Sequence, residues 1–317
     1  MNPEPRSVVA SVVQAGSIAF DTPATIEKLG DLMADARSQG SELVVFPEAF
    51  VGGYPKGHNF GAVVGSRTED GRDWFRRYSE AAIVIPGPDL DTIADAAAGV
   101  HLVTGVIERE HGTLYCSVIF LDPDGRLLGV HRKLMPTASE RLIWGFGDGS
   151  TMPVAETSVG RIGAAICWEN YMPLYRAAMY AKGVQIWCAP TVDDRQRWTS
   201  SMQHISLEGR TFVLSANQYA TRGDYPPDYV TAYGNDPDTV LIGGGSCIVD
   251  PHGRFLAEPD RSGETILTAE LDLGEITRGT FDFDPVGHYS RPDVFQLTVD
   301  EGKKNPVVFD SSGAGEP

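Results

Sequence analysis

Short apolar runs alternate along most of this chain with stretches of 3.6-residue apolar period, and that alternation restricts it to a layered α/β architecture. Residues 7–14 (SVVASVVQ) read as a strand. Thr22 then stands as the N-cap of a helix with Pro23 in its first turn. Ile26, Leu29, Leu32, Met33 and Ala36 follow on one face, and Gly40 stops the helix. Residues 42–46 (ELVVF) form a short buried strand that ends at Pro47-Glu48. A second helix is expected over 89–98 and a strand over 101–108. Two hairpins are announced by similar turns, Asp122-Pro123-Asp124-Gly125-Arg126 and Asp250-Pro251-His252-Gly253-Arg254, with Pro second and Gly fourth. Turn chemistry alone accounts for their likeness, and internal symmetry is the lesser reading. Strands over 161–166 and 184–188 flank a helix near 171–182. A longer helix follows over 196–210, then a strand over 211–216.

Two stretches fit neither period: 52–71, which holds six glycines, and 222–238, rich in Pro, Tyr and Asp. Loops of that length inside a compact domain are usually functional or form interfaces. No Pro/Ser-rich linker divides the chain. A single domain over 1–300 is therefore expected, with a C-terminal tail over 301–317 whose end, DSSGAGEP, reads as frayed. With 26 Lys and Arg against 43 Asp and Glu, the net charge is −17, which argues against binding a nucleic-acid backbone. The four cysteines are widely spaced and the seven histidines scattered, so no metal site and no cofactor is expected. No apolar run approaches the ~20 residues a membrane span needs. The N-terminal residues lack the pattern of a secretory leader. A cytoplasmic location with reduced thiols is the expectation.

Cys167 differs from the other cysteines in its setting. A strand precedes it, and Asn170 with Pro173 reads as the start of the next helix, so the thiol falls on a tight strand-to-helix junction. Helix N-terminal amides there favour a thiolate and offer donors to developing negative charge. An inert buried thiol is the competing reading. A thiolate nucleophile needs a base, usually histidine, and none is obviously dedicated to this one. Glu48, at the C-terminal end of ELVVF, is the alternative: sites gather at that end of an α/β sheet, and an apolar setting raises a carboxyl toward a useful pKa. Taken alone, Glu48 could equally be a solvated loop carboxylate. Lys133 ends another strand, and alone it could be one of a surface basic cluster. Glu140, next to Arg141, reads on its own as half of an exposed charged pair.

The motifs taken together say more. Val45-Phe46-Pro47-Glu48, His131-Arg132-Lys133-Leu134-Met135-Pro136-Thr137, Glu140-Arg141 and Cys167-Trp168-Glu169-Asn170-Tyr171-Met172-Pro173-Leu174 occur in this order. They closely resemble the motifs of the nitrilase superfamily of carbon–nitrogen hydrolases, nearest to the true nitrilases of plant-like and bacterial type. GGYPKG at 52–57, CAPT at 188–191, GGGS at 243–246 and GHYSRPD at 287–293 extend the likeness over roughly residues 7–299. The resemblance implies an α-β-β-α sandwich that forms four layers when two copies pair, with dimers that extend into spirals or filaments. It implies Glu48 as general base, Lys133 as catalytic lysine, Cys167 as nucleophile and Glu140 as a second glutamate near them. Tyr54, Thr137, Trp168, Pro190 and Thr191 are the candidate walls of the substrate pocket.

The expected activity is hydrolysis of a small organic nitrile to the carboxylic acid and ammonia, through a thioimidate and then a thioester on an ionised Cys167. The alternatives within the superfamily are an amidase, a cyanide-degrading enzyme, or one that hydrates the nitrile and stops at the amide. From a different class, a non-catalytic scaffold that assembles into filaments is the competing reading. The expected partners are the small-molecule nitrile and further copies of the chain, with no nucleic acid and no membrane.

Overall fold

The runs LVV at 43–45 and IWC at 186–188 are buried throughout, as central strands of a parallel sheet covered on both faces must be. The computed structural model describes residues 7–305, 307 and 308. In chain order its elements begin with β1 (Ser7–Gln14), α1 (Thr22–Ser38), β2 (Leu43–Val45), α2 (Glu69–Glu80), α3 (Pro88–Ala97), β3 (His101–Glu110), β4 (Thr113–Leu121) and β5 (Leu127–Arg132). They continue with β6 (Val154–Thr157), β7 (Gly160–Ala164), α4 (Pro173–Ala181), β8 (Ile186–Cys188), α5 (Gln196–Gly209) and β9 (Phe212–Ser215). The last are β10 (Tyr219–Thr221), β11 (Val240–Gly243), β12 (Ser246–Val249), β13 (Phe255–Asp260), β14 (Thr265–Asp272) and α6 (Gly274–Asp282).

Two six-stranded sheets result, ordered β14-β1-β2-β3-β4-β5 and β13-β12-β9-β8-β7-β6. In the first, β1-β2-β3 are parallel and their neighbours antiparallel. In the second, β7-β8-β9 are parallel and their neighbours antiparallel. Strand periodicity sorts the side chains into layers. Leu43 and Val45 point between the sheets, where Val8, Val103, Ile162, Ile186 and Phe212 meet them. Val44 points the other way, into a core with Leu29 and Met33 of α1 and Ile93 of α3. On the far side of the second sheet, Met179 of α4 and Trp198, Met202 and Ile205 of α5 cover Trp187 and Val213. The layers are therefore α-β-β-α, in one domain.

The two halves repeat each other. β7-β8-β9-β12-β13 holds the same order and directions as β1-β2-β3-β4-β5, and the two similar turns close the equivalent hairpins β4-β5 and β12-β13. Their wiring matches as well: Asp122 Oδ1 accepts from the N–H groups of Asp124 and Arg126, and Asp250 Oδ1 from those of His252 and Arg254. Internal symmetry, the lesser reading of the sequence, is what the topology displays.

Three local expectations are corrected. Asp21, not Thr22, caps α1, its side chain accepting from the Ala24 N–H, while the Thr22 hydroxyl turns inward to the Ala81 carbonyl. The end of the glycine-rich stretch enters an unexpected helix, α2. Thr68 caps it and only Gly71, Trp74 and Tyr78 are buried, too sparse a set to register as a period. Asn170 is not a helix cap: Cys167–Tyr171 forms a 3-10 turn, and α4 starts only at Pro173, after Met172. Part of the expected domain and tail, residues 1–6, 306 and 309–317, lies outside the described residues. The described start of the tail lies against the body: the Lys304 N–H donates to Asp148 (2.7 Å), and Glu301 pairs with Lys182.

Candidate active site

Glu48 follows β2 where the chain leaves the sheet, and the backbone there is clamped from two sides. The Phe46 N–H donates to Val103 and the Gly105 N–H to the Pro47 carbonyl (2.8 and 3.1 Å). From the other half, the Gln218 amide donates to the Glu48 carbonyl (2.8 Å). Gly105 is required for the approach: a Cβ there would lie 2.3 Å from the Pro47 oxygen and 2.7 Å from Glu48 Cα.

Lys133 leaves the end of β5 with its N–H on the Cys116 carbonyl (2.8 Å). Its side chain is buried, and its ammonium donates to Glu48 Oε1 (2.6 Å) and Glu140 Oε2 (2.8 Å). Glu140 is buried too, contrary to its appearance in the sequence. It lies in a 3-10 turn (Ala138–Leu142), reaches back to the Thr137 N–H (2.5 Å) and takes the Tyr54 hydroxyl on its other oxygen (2.8 Å). That backward reach is half of a capping box.

Cys167 opens its own 3-10 turn with φ +49°, a left-handed conformation that non-glycine residues seldom adopt. Its N–H donates to the Pro190 carbonyl (2.9 Å), and the Thr191 hydroxyl donates to its sulfur (3.3 Å). Asn170 is buried beneath the turn, where its amide donates to the Ala165 and Cys167 carbonyls and accepts from the Trp187 indole (2.8 Å each). The strained turn is thus held by three hydrogen bonds from one side chain.

The four expected reactive residues therefore form one cluster. Burial pushes the Glu48 carboxyl up to about 7; the Glu140 charge adds to the rise, while the Lys133 ammonium and the Cys167 thiol act against it. Burial pulls the Lys133 pKa down, but Glu48, Cys167 and Glu140 outweigh it and hold the ammonium above its ordinary range. Burial, with the Glu48 charge next, raises the Cys167 thiol against the pull of Lys133. This corrects the expectation of a resting thiolate. The sulfur is buried facing carboxylates, and no α-helix starts at its turn. At rest Lys133 holds its charge and the sulfur holds its proton. Glu48 Oε2 is buried with no hydrogen-bond partner among the described residues, which leaves it free to act. Burial and the Glu140 charge raise the Tyr54 phenol, so it stays a donor.

A cavity of about 200 Å³ opens beside the sulfur, bordered by Tyr54, Lys56, Thr137, Glu140, Cys167, Trp168, Val192, Asp193, Asp194 and Arg195. Of the five expected wall residues, Tyr54, Thr137 and Trp168 border it. Pro190 and Thr191 stand behind the sulfur instead, holding its backbone and its thiol. Trp168 is partly exposed, its indole N–H on Asp193 (2.9 Å) and its ring 4.9 Å from the Arg195 guanidinium. Lys56 stands within the GGYPKG stretch and Asp193 and Arg195 in a charged loop, and nothing local in the sequence marks the three as bordering a site. His131 and Glu169 were also passed over. His131 lies two residues before Lys133, a spacing that along a strand marks a shared face, whereas Glu169 lies two after Cys167 within the same 3-10 turn.

The carbon–nitrogen hydrolase family profile matches residues 9–279. A bifunctional nitrilase/nitrile hydratase of Lupinus angustifolius is 59% identical, over 96% of this chain and 90% of that one. A nitrilase of Bradyrhizobium diazoefficiens is also 59% identical, over 96% of this chain and 95% of that one. Among solved structures, a carbon–nitrogen hydrolase of Helicobacter pylori superposes with a TM-score of 0.71 at 22% identity, covering 92% of this chain and 97% of that one, a likeness of fold.

Proposed function

The chain belongs to the carbon–nitrogen hydrolase family, and from that premise we propose that Cys167 is its nucleophile, Glu48 its general base, Lys133 its charge stabiliser and Glu140 the residue that holds Lys133 in place. The enzyme is a nitrilase, converting an organic nitrile to the carboxylic acid and ammonia. The observation that supports the assignment of roles is the buried cluster itself, one ammonium bridging two carboxylates beside a thiol that borders a cavity.

A nitrile carbon is a weak, uncharged electrophile, suited to soft sulfur. As Cys167 attacks, the S–C bond forms and one C–N π bond breaks. The thiol proton passes to Glu48 and on to nitrogen, giving a thioimidate. Lys133 and the Trp168 backbone N–H stabilise the charge developing on nitrogen. Water deprotonated by Glu48 adds to the carbon, and the carboxyl passes that proton to nitrogen, leaving a tetrahedral carbon that carries a hydroxyl and an amine. Glu48 then moves the hydroxyl proton to the amine, the C–N bond breaks, ammonia departs, and a thioester remains. A second water, activated in the same way, releases the acid, and sulfur regains its proton. If the first tetrahedral intermediate expels sulfur instead of ammonia, the product is the amide. The bifunctional relatives favour that second outcome as a partial one here.

Tyr54, Thr137 and Trp168 belong to the proposal as substrate contacts, with Pro190 and Thr191 supporting the sulfur. The proposed domain spans 1–300, with 301–317 as its C-terminal tail. Pairing of two copies, with extension into a spiral, is supported by exposed Phe281 on α6 and exposed Tyr289 and Phe295 after it. Among the described residues no helix is long and apolar enough to cross a membrane. A cytoplasmic location fits the four free thiols.

The test is incubation of the purified enzyme with aliphatic, arylaliphatic, aromatic and cyano-amino-acid nitriles and their amides, quantifying ammonia, acid and amide. Acid from a nitrile is expected, with none from C167A. Conversion of amides alone, or turnover by folded C167A, overturns the reading.

A further inference from the structure

We propose that Glu169 is a positioning residue for this reaction: its carboxylate, paired with His131, ties the turn that carries Cys167 to the strand end that carries Lys133. Glu169 Oε2 accepts the Ile166 N–H (2.7 Å), from the residue just before the nucleophile. Glu169 Oε1 accepts the Leu134 N–H (2.6 Å), from the residue just after the lysine. The two catalytic segments come from different sheets, and this carboxylate hydrogen-bonds to the backbone of both.

His131 holds that carboxylate in place. Its Nε2 lies 2.9 Å from Glu169 Oε2, and its Nδ1 hydrogen-bonds the Thr151 carbonyl. With an acceptor on each ring nitrogen, the imidazole uses both as donors when it is the cation. Both side chains are wholly buried, so the pair lies away from water. Tyr175 backs it, its hydroxyl on the Ala164 carbonyl and 3.4 Å from His131 Nε2. Along β5, His131 and Lys133 thus meet two glutamates in parallel ways. Lys133 meets Glu140, which reaches back to the Thr137 N–H, and His131 meets Glu169, which reaches back to the Ile166 N–H. One carboxylate touches the reacting groups, whereas the other acts only through the backbone that carries them.

The inference rests on Cys167 and Lys133 being the reacting groups, so its test includes a readout that needs no nitrile. Removing one partner of a buried pair leaves the other uncompensated; E169Q is therefore made beside E169D, which keeps the charge, and the neutral double variant H131N/E169Q. Each is checked for folding by circular dichroism and melting. Then kcat and KM are measured on a nitrile, and the rate of Cys167 alkylation by iodoacetamide is followed by peptide mass. For E169Q we expect kcat to fall about 100-fold with KM within about threefold, and alkylation to slow about tenfold, as displaced reacting groups would give. E169D is expected between E169Q and wild type. The double variant is expected to melt higher than E169Q yet recover neither rate. Wild-type kcat and alkylation in folded E169Q overturn the proposal. So does recovery of both rates in the double variant along with its melting temperature, the mark of a purely structural role. If the wild type converts no nitrile, the reaction reading fails while the alkylation rates still decide whether Glu169 places the sulfur.

Discussion

A carboxylate and an ammonium buried together stay charged because each offsets the other's loss of water, and the Glu48–Lys133–Glu140 cluster depends on that balance. Removing one member affects the rest, so E48Q and K133A are each expected to lower kcat/KM about 10²- to 10⁴-fold, and C167A to abolish turnover, with circular dichroism unchanged. The base form of Glu48 is lost as pH falls through its raised pKa, so kcat/KM should drop on the acid side of about 7. K133M removes the ammonium that opposes this rise. Its acid limb should move to higher pH, and a limb that stays put or moves down would count against Glu48 as the base. Glu48, Lys133 and Cys167 each stand at or just past a strand end, but it was the motif resemblance that singled them out together, since Glu48 alone reads equally as a loop carboxylate and Lys133 as part of a surface basic cluster. Glu140 was not legible on its own, since an acidic residue beside an arginine carries no mark of burial; the motif resemblance alone singled it out. The resting state of Cys167 was misread for the same reason: the sequence shows the junction but not the two carboxylates that face the sulfur.

At the scale of elements, the reactive side chains are placed by backbone features rather than by their own packing. Gly105 of β3 lies against the backbone of 47–49 with no room for a methyl group. G105A should therefore cost about 1–3 kcal/mol by overpacking, read from urea denaturation, and reduce turnover as well because the displaced backbone carries Glu48. Loss of stability with unchanged kcat would separate the two effects. Strand β1 and the hairpin turns were legible because their apolar periods and Asp-Pro-x-Gly chemistry are local. Helix α2 was not, since its buried residues are few and its charges many. The cap of α1 shifted by one residue because Thr22 found a tertiary partner.

For the whole molecule, two repeated halves face each other across a shared core, and β14 closes the first sheet by pairing with β1 from Ser7↔Asp272 to Gln14↔Thr265. The last strand among the described residues thus completes the first sheet. Beyond it, Phe281 and Phe295 are largely exposed at 86% and 78%, and the proposed pairing of two copies would cover them. Sedimentation velocity should find a dimer or larger species, and F281D/F295D should shift it toward monomer. An unchanged distribution in the double variant would remove those residues from the interface.

Local chemistry in the sequence determined which segments became strands, where the hairpins turned, and which three strand ends bear the thiol, the carboxyl and the ammonium. Those signals lie within a few residues of one another, and backbone sterics and apolar period are enough to write them. Only the tertiary structure decided that the ammonium bridges two carboxylates, that the thiol keeps its proton, and that Glu169 joins the two catalytic segments. Those properties depend on what surrounds a charge and how much water reaches it, and both are fixed only when distant strands pack.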